Sequence, residues 1–342
     1  MVRGIGPSTK KAAERRRKGN TMTVTQDRPS TKLGIVGAGG VGSAMAYASV
    51  IQNVAREVVL YDIAAQKAEA EALDIAHGSL FASNVRITGG GDPELLKGCD
   101  MIIITAGAPQ KPGQTRLELA GTNVKILESM MPTLLEQAPD AVYMLVTNPC
   151  DVLTVVAQRI SGLGAHQVFS SGTVLDSSRL RWLIGNAAGV SSDSVHAMIV
   201  GEHGDSEFPL WSSATIGQVP VDQWTGDDGS ALFTDEVKDT LGHDVMRAAY
   251  KVIEGKGATN YAIGLSGARI AKAVLQGQDA VLPVSTVLEG YQGIDGVALS
   301  VPCVVGFGGV RRVLEVPMDE AETKKLRASA QTLRESLSSL GY

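Results

Sequence analysis

Residues 32–42 read KLGIVGAGGVG, and this stretch decides the fold. It begins with a short, mostly apolar run, which predicts a buried strand from Lys32 to Val36. The pattern G-x-G-x-x-G follows at once, and residues 43–50 predict a helix. Between a strand and a helix, the first glycine permits a tight turn, the second lets a pyrophosphate approach the backbone, and the third lets the helix pack on the strand. The stretch therefore predicts a dinucleotide site.

An acidic residue closes the next predicted strand. The strand Val58–Tyr61 is followed by Asp62, twenty residues past Gly42. Its carboxylate is placed to accept hydrogen bonds from a ribose 2′-hydroxyl and to repel a 2′-phosphate, which favours NAD over NADP. The alternative is a glycine-rich turn with no ligand. The predicted cofactor-binding residues here are Gly37, Gly39, Val41, Gly42 and Asp62.

Strands and helices alternate in the next part of the chain. The apolar runs Met101–Thr105 and Val142–Val146 predict buried strands, and the segment Leu117–Leu135 between them predicts a helix. This alternation indicates an α/β protein with a doubly wound parallel sheet of the Rossmann type. Ligands of such sheets bind at the carboxyl ends of the strands. We therefore predict an NAD-binding domain over residues 31–170 and a second, α+β catalytic domain for the substrate over residues 171–342.

The composition excludes several other classes. The 342 residues are 44% apolar and 20% charged, as in an ordinary soluble globular protein, and the net charge of −5 gives no hint of nucleic-acid binding. The three cysteines are scattered without a CxxC pair, so neither a disulfide framework nor a metal site is predicted, and a reducing cytoplasm is the simplest expectation. No apolar run reaches the roughly 18 residues of a membrane span.

The first 30 residues are predicted to be a flexible basic tail. Six lysines and arginines lie between residues 10 and 18, and no apolar segment of a secretory signal follows them. A solvated tail is favoured over a nucleic-acid arm. Met22 is a second possible start of translation, and the sequence does not distinguish it from Met1.

A histidine marks the candidate catalytic centre. Residues 198–206 read MIVGEHGDS, in which His203 lies between Gly201 and Gly204. An apolar run followed by glycine predicts a buried strand that opens into a loop, where an α/β enzyme keeps its chemistry. Histidine exchanges protons near neutral pH. A lone histidine would more often be a core residue with a satisfied hydrogen bond, so the assignment depends on the groups that accompany it.

Two arginines and a carboxylate are the candidates for those groups. The loop over residues 107–116 has glycine near both ends and suits a mobile lid that carries Arg116 inward, although a solvated loop whose arginine caps a helix is the alternative. Asp176 and Arg179 share one face of a predicted helix because they are three residues apart. The functional hypothesis places Asp176 against His203 and Arg179 on a substrate carboxylate; the alternative is a surface ion pair of little energetic value.

With these residues in place, the chain from about Thr31 to the C-terminus resembles the lactate/malate dehydrogenase family, and within it the bacterial L-lactate dehydrogenases. Four motifs in the same order carry the resemblance, and only the N-terminal tail departs from it. They are GAGGVG at residues 37–42, QKPGQTR at 110–116, LDSSR at 175–179 and GEHGD at 201–205.

The resemblance implies a role for each matching residue. His203 would donate and accept the proton, and Asp176 would orient its ring and favour the imidazolium. Arg179 would bind the substrate carboxylate through a two-pronged contact. Arg116 would polarise the substrate carbonyl, and Asn148 would contact substrate and cofactor near the nicotinamide. NAD is the implied cofactor.

Substrate choice depends on Gln110 in this resemblance. Malate dehydrogenases of the family carry arginine there, and a neutral glutamine would leave a second substrate carboxylate unpaired, which is costly in a closed site. Thr259 also matches the lactate type. The implied reaction is NADH-dependent reduction of pyruvate to L-lactate. The alternatives are malate or another 2-hydroxy acid as substrate, or a non-catalytic NAD-binding sensor, which would not need the catalytic set described above.

The resemblance also implies regulation and assembly. Arg181 and His196 match positions that bind fructose 1,6-bisphosphate in allosteric relatives. On a helix, Arg181 points away from Arg179, and on a regular strand an odd offset would put His196 and His203 on opposite faces. The alternative is that Arg181 is a solvated charge and His196 a packed strand residue. A cytoplasmic homotetramer that serves fermentative glycolysis is implied, without membrane or nucleic-acid partners.

Overall fold

The computed structural model describes residues 31–109 and 114–342, so the predicted tail over residues 1–30 lies outside the described residues. The α-helices in these ranges are α1 (Gly40–Ile51), α2 (Ala65–Gly78), α3 (Arg116–Gln137), α4 (Cys150–Ser161), α5 (Val174–Ala188), α6 (Asp235–Lys256), α7 (Tyr261–Gln276) and α8 (Glu320–Ser339). The strands are β1 (Lys32–Val36), β2 (Glu57–Tyr61), β3 (Arg86–Gly90), β4 (Met101–Ile104), β5 (Val142–Leu145), β6 (Val168–Ser170), β7 (Val195–His196), β8 (Ile199–Val200), β9 (Phe208–Pro209), β10 (Thr215–Ile216), β11 (Val219–Pro220), β12 (Ala280–Leu282), β13 (Ser285–Val287), β14 (Ala298–Ser300), β15 (Cys303–Gly306) and β16 (Gly309–Val313).

One eight-stranded sheet forms the centre of the fold. Its order is β14-β13-β6-β5-β4-β1-β2-β3, and the strands from β1 to β6 run parallel. The predicted doubly wound parallel sheet is therefore confirmed. Two strands that the sequence did not predict extend it, because β13 pairs antiparallel with β6 and β14 pairs antiparallel with β13. These strands follow residue 171, so the sheet continues across the predicted domain boundary.

The central strands are buried on both faces. Every residue of β4 and β5 is buried, as expected of parallel strands covered by helices, which read as continuous apolar runs. Tyr143 in β5 satisfies its buried hydroxyl by donating to the carbonyls of Leu134 and Ala138. Both strands end one residue before the predicted position, because Thr105 and Val146 already belong to the loops at the sheet edge.

The glycine motif makes the turn from β1 into α1. Gly37 has a φ of +106°, which favours glycine over other residues. A Cβ atom at Gly42 would lie 1.8 Å from the carbonyl oxygen of Gly37, so helix and strand approach closely only with glycine there. At Gly39 a Cβ atom would meet no atom within 4 Å. Gly37 and Gly42 thus shape the turn and the close packing of helix on strand, and Gly39 leaves open space at the start of α1.

Two helices from the second half of the chain, α7 and α8, are packed into the fold. A Cβ atom at Gly264 in α7 would lie 2.9 Å from the backbone of Ala44, so α7 lies directly on α1. The C-terminal helix α8 buries a stripe of apolar side chains that recur at helical spacing. The fully buried members of the stripe are Leu326, Ala330, Leu333 and Leu337. Among the described residues, no helix has the length and apolar character needed to cross a membrane.

The substitution Gly42→Ala tests the close approach of α1 and β1. We expect the free energy of unfolding to fall by about 1–3 kcal/mol, because the new methyl group must displace backbone. The measurement is urea unfolding followed by circular dichroism. Gly39→Ala is the matched control: Gly39 has an ordinary φ of −77° and open space beside it, so its stability should stay near wild type. Equal stability losses in both variants would contradict this packing.

Candidate active site

Four loops meet at the carboxyl edge of the parallel sheet. The glycine motif follows β1, Asp62 follows β2, and the segments beginning at Thr105 and Thr147 come shortly after β4 and β5. Thr105 donates its hydroxyl to the carbonyls of Val36 and Gly37 at 3.0 and 3.1 Å, and Thr147 donates to Ala106 at 2.8 Å. These bonds fix neighbouring loops to each other, so the edge presents a defined surface.

Asp62 holds the glycine motif from the adjacent strand end. Its Oδ2 accepts the N–H of Ala38 at 2.7 Å, and its Oδ1 accepts the N–H of Ala64 at 2.8 Å. A carboxylate has about four lone-pair positions, so each oxygen can accept a further hydrogen bond from a ribose hydroxyl. The open space beside Gly39, at the N-terminus of α1, fits a pyrophosphate. The residues at this edge therefore fit NAD.

Asn123 is a buried amide that the sequence interpretation missed. From α3 its Nδ2 donates to the backbone carbonyl of Asn148 at 2.7 Å, and its Oδ1 accepts the N–H of Ala108 at 2.8 Å. It therefore fixes the segment of the predicted substrate residue Asn148. The sequence did offer one signal for this role, because Asn123 is a polar residue among the apolar positions of the predicted helix Leu117–Leu135.

The predicted catalytic residues come together around one carboxylate. His203 Nδ1 lies 2.8 Å from Asp176 Oδ2, so Nδ1 donates and Nε2 is the ring atom that can exchange a proton. Arg179 Nη1 donates to the other oxygen, Asp176 Oδ1, at 2.5 Å. The sequence hypothesis placed Arg179 on a substrate carboxylate; the structure adds that its guanidinium also pairs with Asp176.

The charges in this group set its protonation. Burial alone would raise the pKa of Asp176, but His203 and Arg179 hold that pKa below its ordinary value. The partly buried position of His203 opposes its positive charge, yet the carboxylate of Asp176 raises the pKa of the imidazole well above 6.5. The pair therefore favours an imidazolium beside an ionised carboxylate at neutral pH.

The backbone of the loop that carries His203 is held by α4 and α8. The N–H of His203 donates to Oδ2 of the buried Asp151 in α4 at 2.8 Å. The N–H of Glu202 donates to Oγ of the buried Ser329 in α8 at 2.8 Å, and the Ser206 hydroxyl lies 2.9 Å from the same Oγ. Asp151 and Ser329 were not predicted as site residues. The loop has little regular structure of its own, so the hydrogen bonds from these two residues hold it in place.

The strand before His203 is one residue shorter than the apolar run Met198–Val200 that predicted it. Only Ile199–Val200 are extended, as β8, and they pair with β9 in a short hairpin whose loop carries His203. Gly201 bridges antiparallel to Ser300 in β14, which ties the loop to the edge of the main sheet. His203 thus lies in a hairpin loop at the added edge of the sheet, where the antiparallel strands extend it.

Glu207 is a further carboxyl group at the centre that the sequence interpretation missed. Its side chain is 4% exposed, and its Oε2 lies 3.7 Å from His203 Nδ1. Burial raises the pKa of Glu207 to about 7.

The side chains of Asp176, His203 and Glu207 are close enough to bind one metal ion together. Their possible ligand atoms lie within 4.8 Å of one another. His203 Nδ1 and Asp176 are, however, already joined by a 2.8 Å hydrogen bond, so the geometry favours an acid–base network over a metal site.

The other predicted substrate residues come from separate parts of the chain. Arg116 is the first residue of α3, whose N-cap is Thr115. Thr259 is half-buried in the connection between α6 and α7. Gln110 lies outside the described residues, and so do residues 111–113 of the predicted lid. Asn148 follows β5, as stated above.

Both predicted effector residues lie in the second half of the chain. Arg181 in α5 is half-buried and donates to the carbonyl of Ser192 at 3.4 Å. His196 is exposed in β7, which pairs with β10. No regular strand connects His196 to His203, because β7 and β8 are separate two-residue strands. The opposite-face argument therefore does not apply, and the exposure of His196 follows from its own short strand.

Comparison with known proteins identifies the family. A model of the lactate/malate dehydrogenase NAD-binding domain matches residues 31–170, and a model of the lactate/malate dehydrogenase alpha/beta C-terminal domain matches residues 173–340. The fold, the glycine motif and the first match together define an NAD-dependent oxidoreductase. The chain belongs to the lactate/malate dehydrogenase family.

Named relatives agree with this assignment. The chain is 49% identical over 312 residues to an L-lactate dehydrogenase of Bifidobacterium animalis subsp. lactis, covering 91% of this chain and 98% of the relative. It is 44% identical over 311 residues to an L-lactate dehydrogenase of Thermus aquaticus, covering 91% and 100%. Among solved structures, a minor L-lactate dehydrogenase of Enterococcus mundtii superposes with a TM-score of 0.86 at 38% identity, covering 91% and 98% of the two chains.

The substitution Ser329→Ala tests the anchor on the histidine loop. It leaves the N–H of Glu202 without its acceptor, so we expect the free energy of unfolding to fall by about 1–3 kcal/mol. Hydrogen exchange at the amides of the loop should also become faster. Ser338→Ala changes an exposed serine of the same helix and serves as the control. Unchanged exchange in Ser329→Ala would show that α8 does not hold this loop.

Proposed function

We propose that this chain is an L-lactate dehydrogenase, which interconverts pyruvate and L-lactate with NADH and NAD. The observation that carries the proposal is the hydrogen-bonded group of His203, Asp176 and Arg179 beside a sheet edge that fits NAD. The names of relatives at 49% and 44% identity support it. A non-catalytic sensor would not require an acid–base pair whose buried carboxylate is shared with an arginine.

The glycine motif and Asp62 would hold the cofactor. Gly39 leaves room for the pyrophosphate at the N-terminus of α1, with Gly37 and Gly42 shaping the turn and Val41 following in the first turn of the helix. The carboxylate of Asp62 would accept a ribose hydroxyl and disfavour a 2′-phosphate. When bound, the nicotinamide supplies the hydride that reduces the carbonyl carbon.

His203 would move the proton. In pyruvate reduction its Nε2 would give a proton to the carbonyl oxygen, and in lactate oxidation the neutral ring would take that proton back. Asp176 keeps Nδ1 protonated and offsets the imidazolium charge. Negative charge develops on the oxygen during reduction, and a cation placed there stabilises it. The family resemblance assigns part of this stabilisation to Arg116.

Arg179 would bind the carboxylate of the substrate. A guanidinium carries five N–H donors, and Nη1 of Arg179 already donates to Asp176. The remaining N–H groups of the guanidinium can bind a substrate carboxylate through two hydrogen bonds. Asn148 and Thr259 are the remaining proposed substrate contacts, with Asn148 also near the cofactor. Gln110 would select pyruvate over oxaloacetate because its neutral amide leaves a second carboxylate unpaired.

Turnover of pyruvate with NADH, followed by NADH absorbance, tests this function. Wild type should use pyruvate with a higher kcat/KM than oxaloacetate. His203→Asn should bind NADH nearly as well but lose roughly 10²–10⁴-fold in turnover, the contribution of a positioned acid–base group. His243→Asn, at an exposed histidine of α6, is the control and should keep its rate. A wild type that turns over neither keto acid would overturn the proposal.

We further propose that the chain acts in the cytoplasm as a homotetramer, in the glycolysis of fermenting cells. Family resemblance motivates the assembly, and exposed apolar side chains support a partner surface. Leu80 and Phe81, just after α2, are 86% and 87% exposed, and Leu73 in α2 is 57% exposed. Apolar groups exposed together commonly mark protein interfaces.

Fructose 1,6-bisphosphate is the proposed activator, held by Arg181 and His196. A half-buried arginine and an exposed histidine are suitable phosphate ligands once subunits bring copies of them together. The activator must bind the active arrangement more tightly, so it should lower the apparent KM for pyruvate.

The substitution Arg181→Gln tests the activator site. It should abolish the effect of millimolar fructose 1,6-bisphosphate on KM and leave the rate at saturating pyruvate near wild type. The measurement is a pair of pyruvate saturation curves with and without the effector. Identical curves for wild type would exclude this regulation without affecting the assignment of the reaction.

A further inference from the structure

Glu207 is a buried carboxyl group for which the catalytic scheme above has no use. It lies four residues after His203, at the end of the same hairpin loop. Its Oε2 has no hydrogen-bond partner among the described residues. Burying a carboxyl oxygen without such a partner is costly, and a neutral glutamine of the same shape would avoid most of that cost. The position of this group therefore calls for a role beyond packing.

The nearest charged partner of Glu207 is the catalytic ring. Its Oε2 lies 3.7 Å from His203 Nδ1, which is too long for a hydrogen bond and short enough for a strong interaction between charges. The ring donates its Nδ1 proton to Asp176 at 2.8 Å. Glu207 therefore acts on the imidazole through charge, and Asp176 acts through both charge and a hydrogen bond.

Several other groups face this pair from neighbouring elements. Asp176 and Arg179 project from α5, and their charges offset each other at the 2.5 Å contact. Cys150 and Asp151 lie on α4, where burial raises the pKa of the thiol to about 12 and that of the carboxyl to about 6. Glu202 lies on the loop itself and accepts the Ser206 hydroxyl. Among the carboxylates of the described residues, Asp176 and Glu207 are the ones within 4.0 Å of His203 Nδ1.

We propose that Glu207 is a positioning residue of the acid–base centre, whose ionised carboxylate stabilises the imidazolium form of His203. The inference rests on the proposed function, since it concerns the same proton. When His203 gives up its proton, Glu207 loses its positive neighbour and binds a proton more readily. The two groups therefore titrate as a pair. Burial raises the pKa of Glu207 to about 7, so its charge changes in the neutral range.

The substitution Glu207→Gln removes the charge and keeps the shape. The pKa of His203 should fall by about one unit, the ordinary scale of such effects in folded proteins. Pyruvate reduction needs the imidazolium, so its kcat/KM should begin to decline at a lower pH than in wild type. Lactate oxidation needs the neutral ring, so its kcat/KM should persist to a lower pH. A purely structural defect would lower both activities without moving their midpoints in the same direction.

Two variants accompany this substitution. Glu207→Asp keeps the charge but moves it away from the ring, so its midpoints should lie between those of wild type and Glu207→Gln. It also tests the proposal if the glutamine variant fails to fold. Glu69→Gln removes an exposed carboxylate of α2 and should leave both profiles unchanged.

A readout without turnover separates this inference from the proposed function. Diethyl pyrocarbonate modifies neutral imidazole, and the His203 side chain is 27% exposed, so mass spectrometry of the modified peptide reports its titration. The midpoint at His203 should fall in Glu207→Gln by the same amount as the kinetic midpoints. An unmoved midpoint would overturn the role of Glu207. A shifted midpoint in a protein that does not reduce pyruvate would support the inference and contradict the proposed function.

Discussion

The buried carboxylate of Asp176 is the interaction on which the site depends. Its two oxygens bind His203 and Arg179, so one group fixes both the proton-exchanging ring and the proposed anion clamp. An unpaired charge at this depth would be strongly unfavourable, and the contacts with His203 and Arg179 offset that cost. The spacing of Asp176 and Arg179 in the first turns of α5 provides one half of the arrangement, and the hairpin loop provides the other.

The hairpin loop is in turn positioned by parts of the chain that are remote in sequence. Asp151 accepts the backbone N–H of His203, which lies 52 residues away in the sequence. Ser329 accepts the backbone N–H of Glu202, which lies 127 residues away. The bridge between Gly201 and Ser300 ties the same loop to the main sheet. The chemistry therefore depends on the sheet, α4 and α8 together, which explains why the catalytic histidine can sit in a segment with so little regular structure. Glu207 belongs to the same arrangement, because β9 returns it towards the ring.

The sequence predicted what local spacing determines and missed what distant packing determines. The turn around Gly37 and Gly42, the acid at the end of β2 and the face shared by Asp176 and Arg179 follow from periodicity and from the conformational freedom of glycine. The anchors Asp151 and Ser329 could not be predicted, since they lie on helices whose sequences indicate only packing. The strands from β7 to β11 have two residues each, too short for a periodic signal. Their pairing therefore could not be predicted, and neither could the hairpin of β8 and β9 that carries His203.

The titration of the His203 ring is the most direct measure of the coupling to Asp176. The chain has five histidines, and in ¹³C-histidine-labelled protein the ring signal of His203 is identified by its absence from His203→Asn. The wild-type signal should titrate well above pH 6.5, because the neighbouring carboxylate raises the pKa of the ring. Asp176→Asn removes the carboxylate, while partial burial still opposes the positive charge of the His203 ring. The titration midpoint of the ring should therefore fall in this variant. An identical midpoint in both proteins would contradict the central role of this carboxylate.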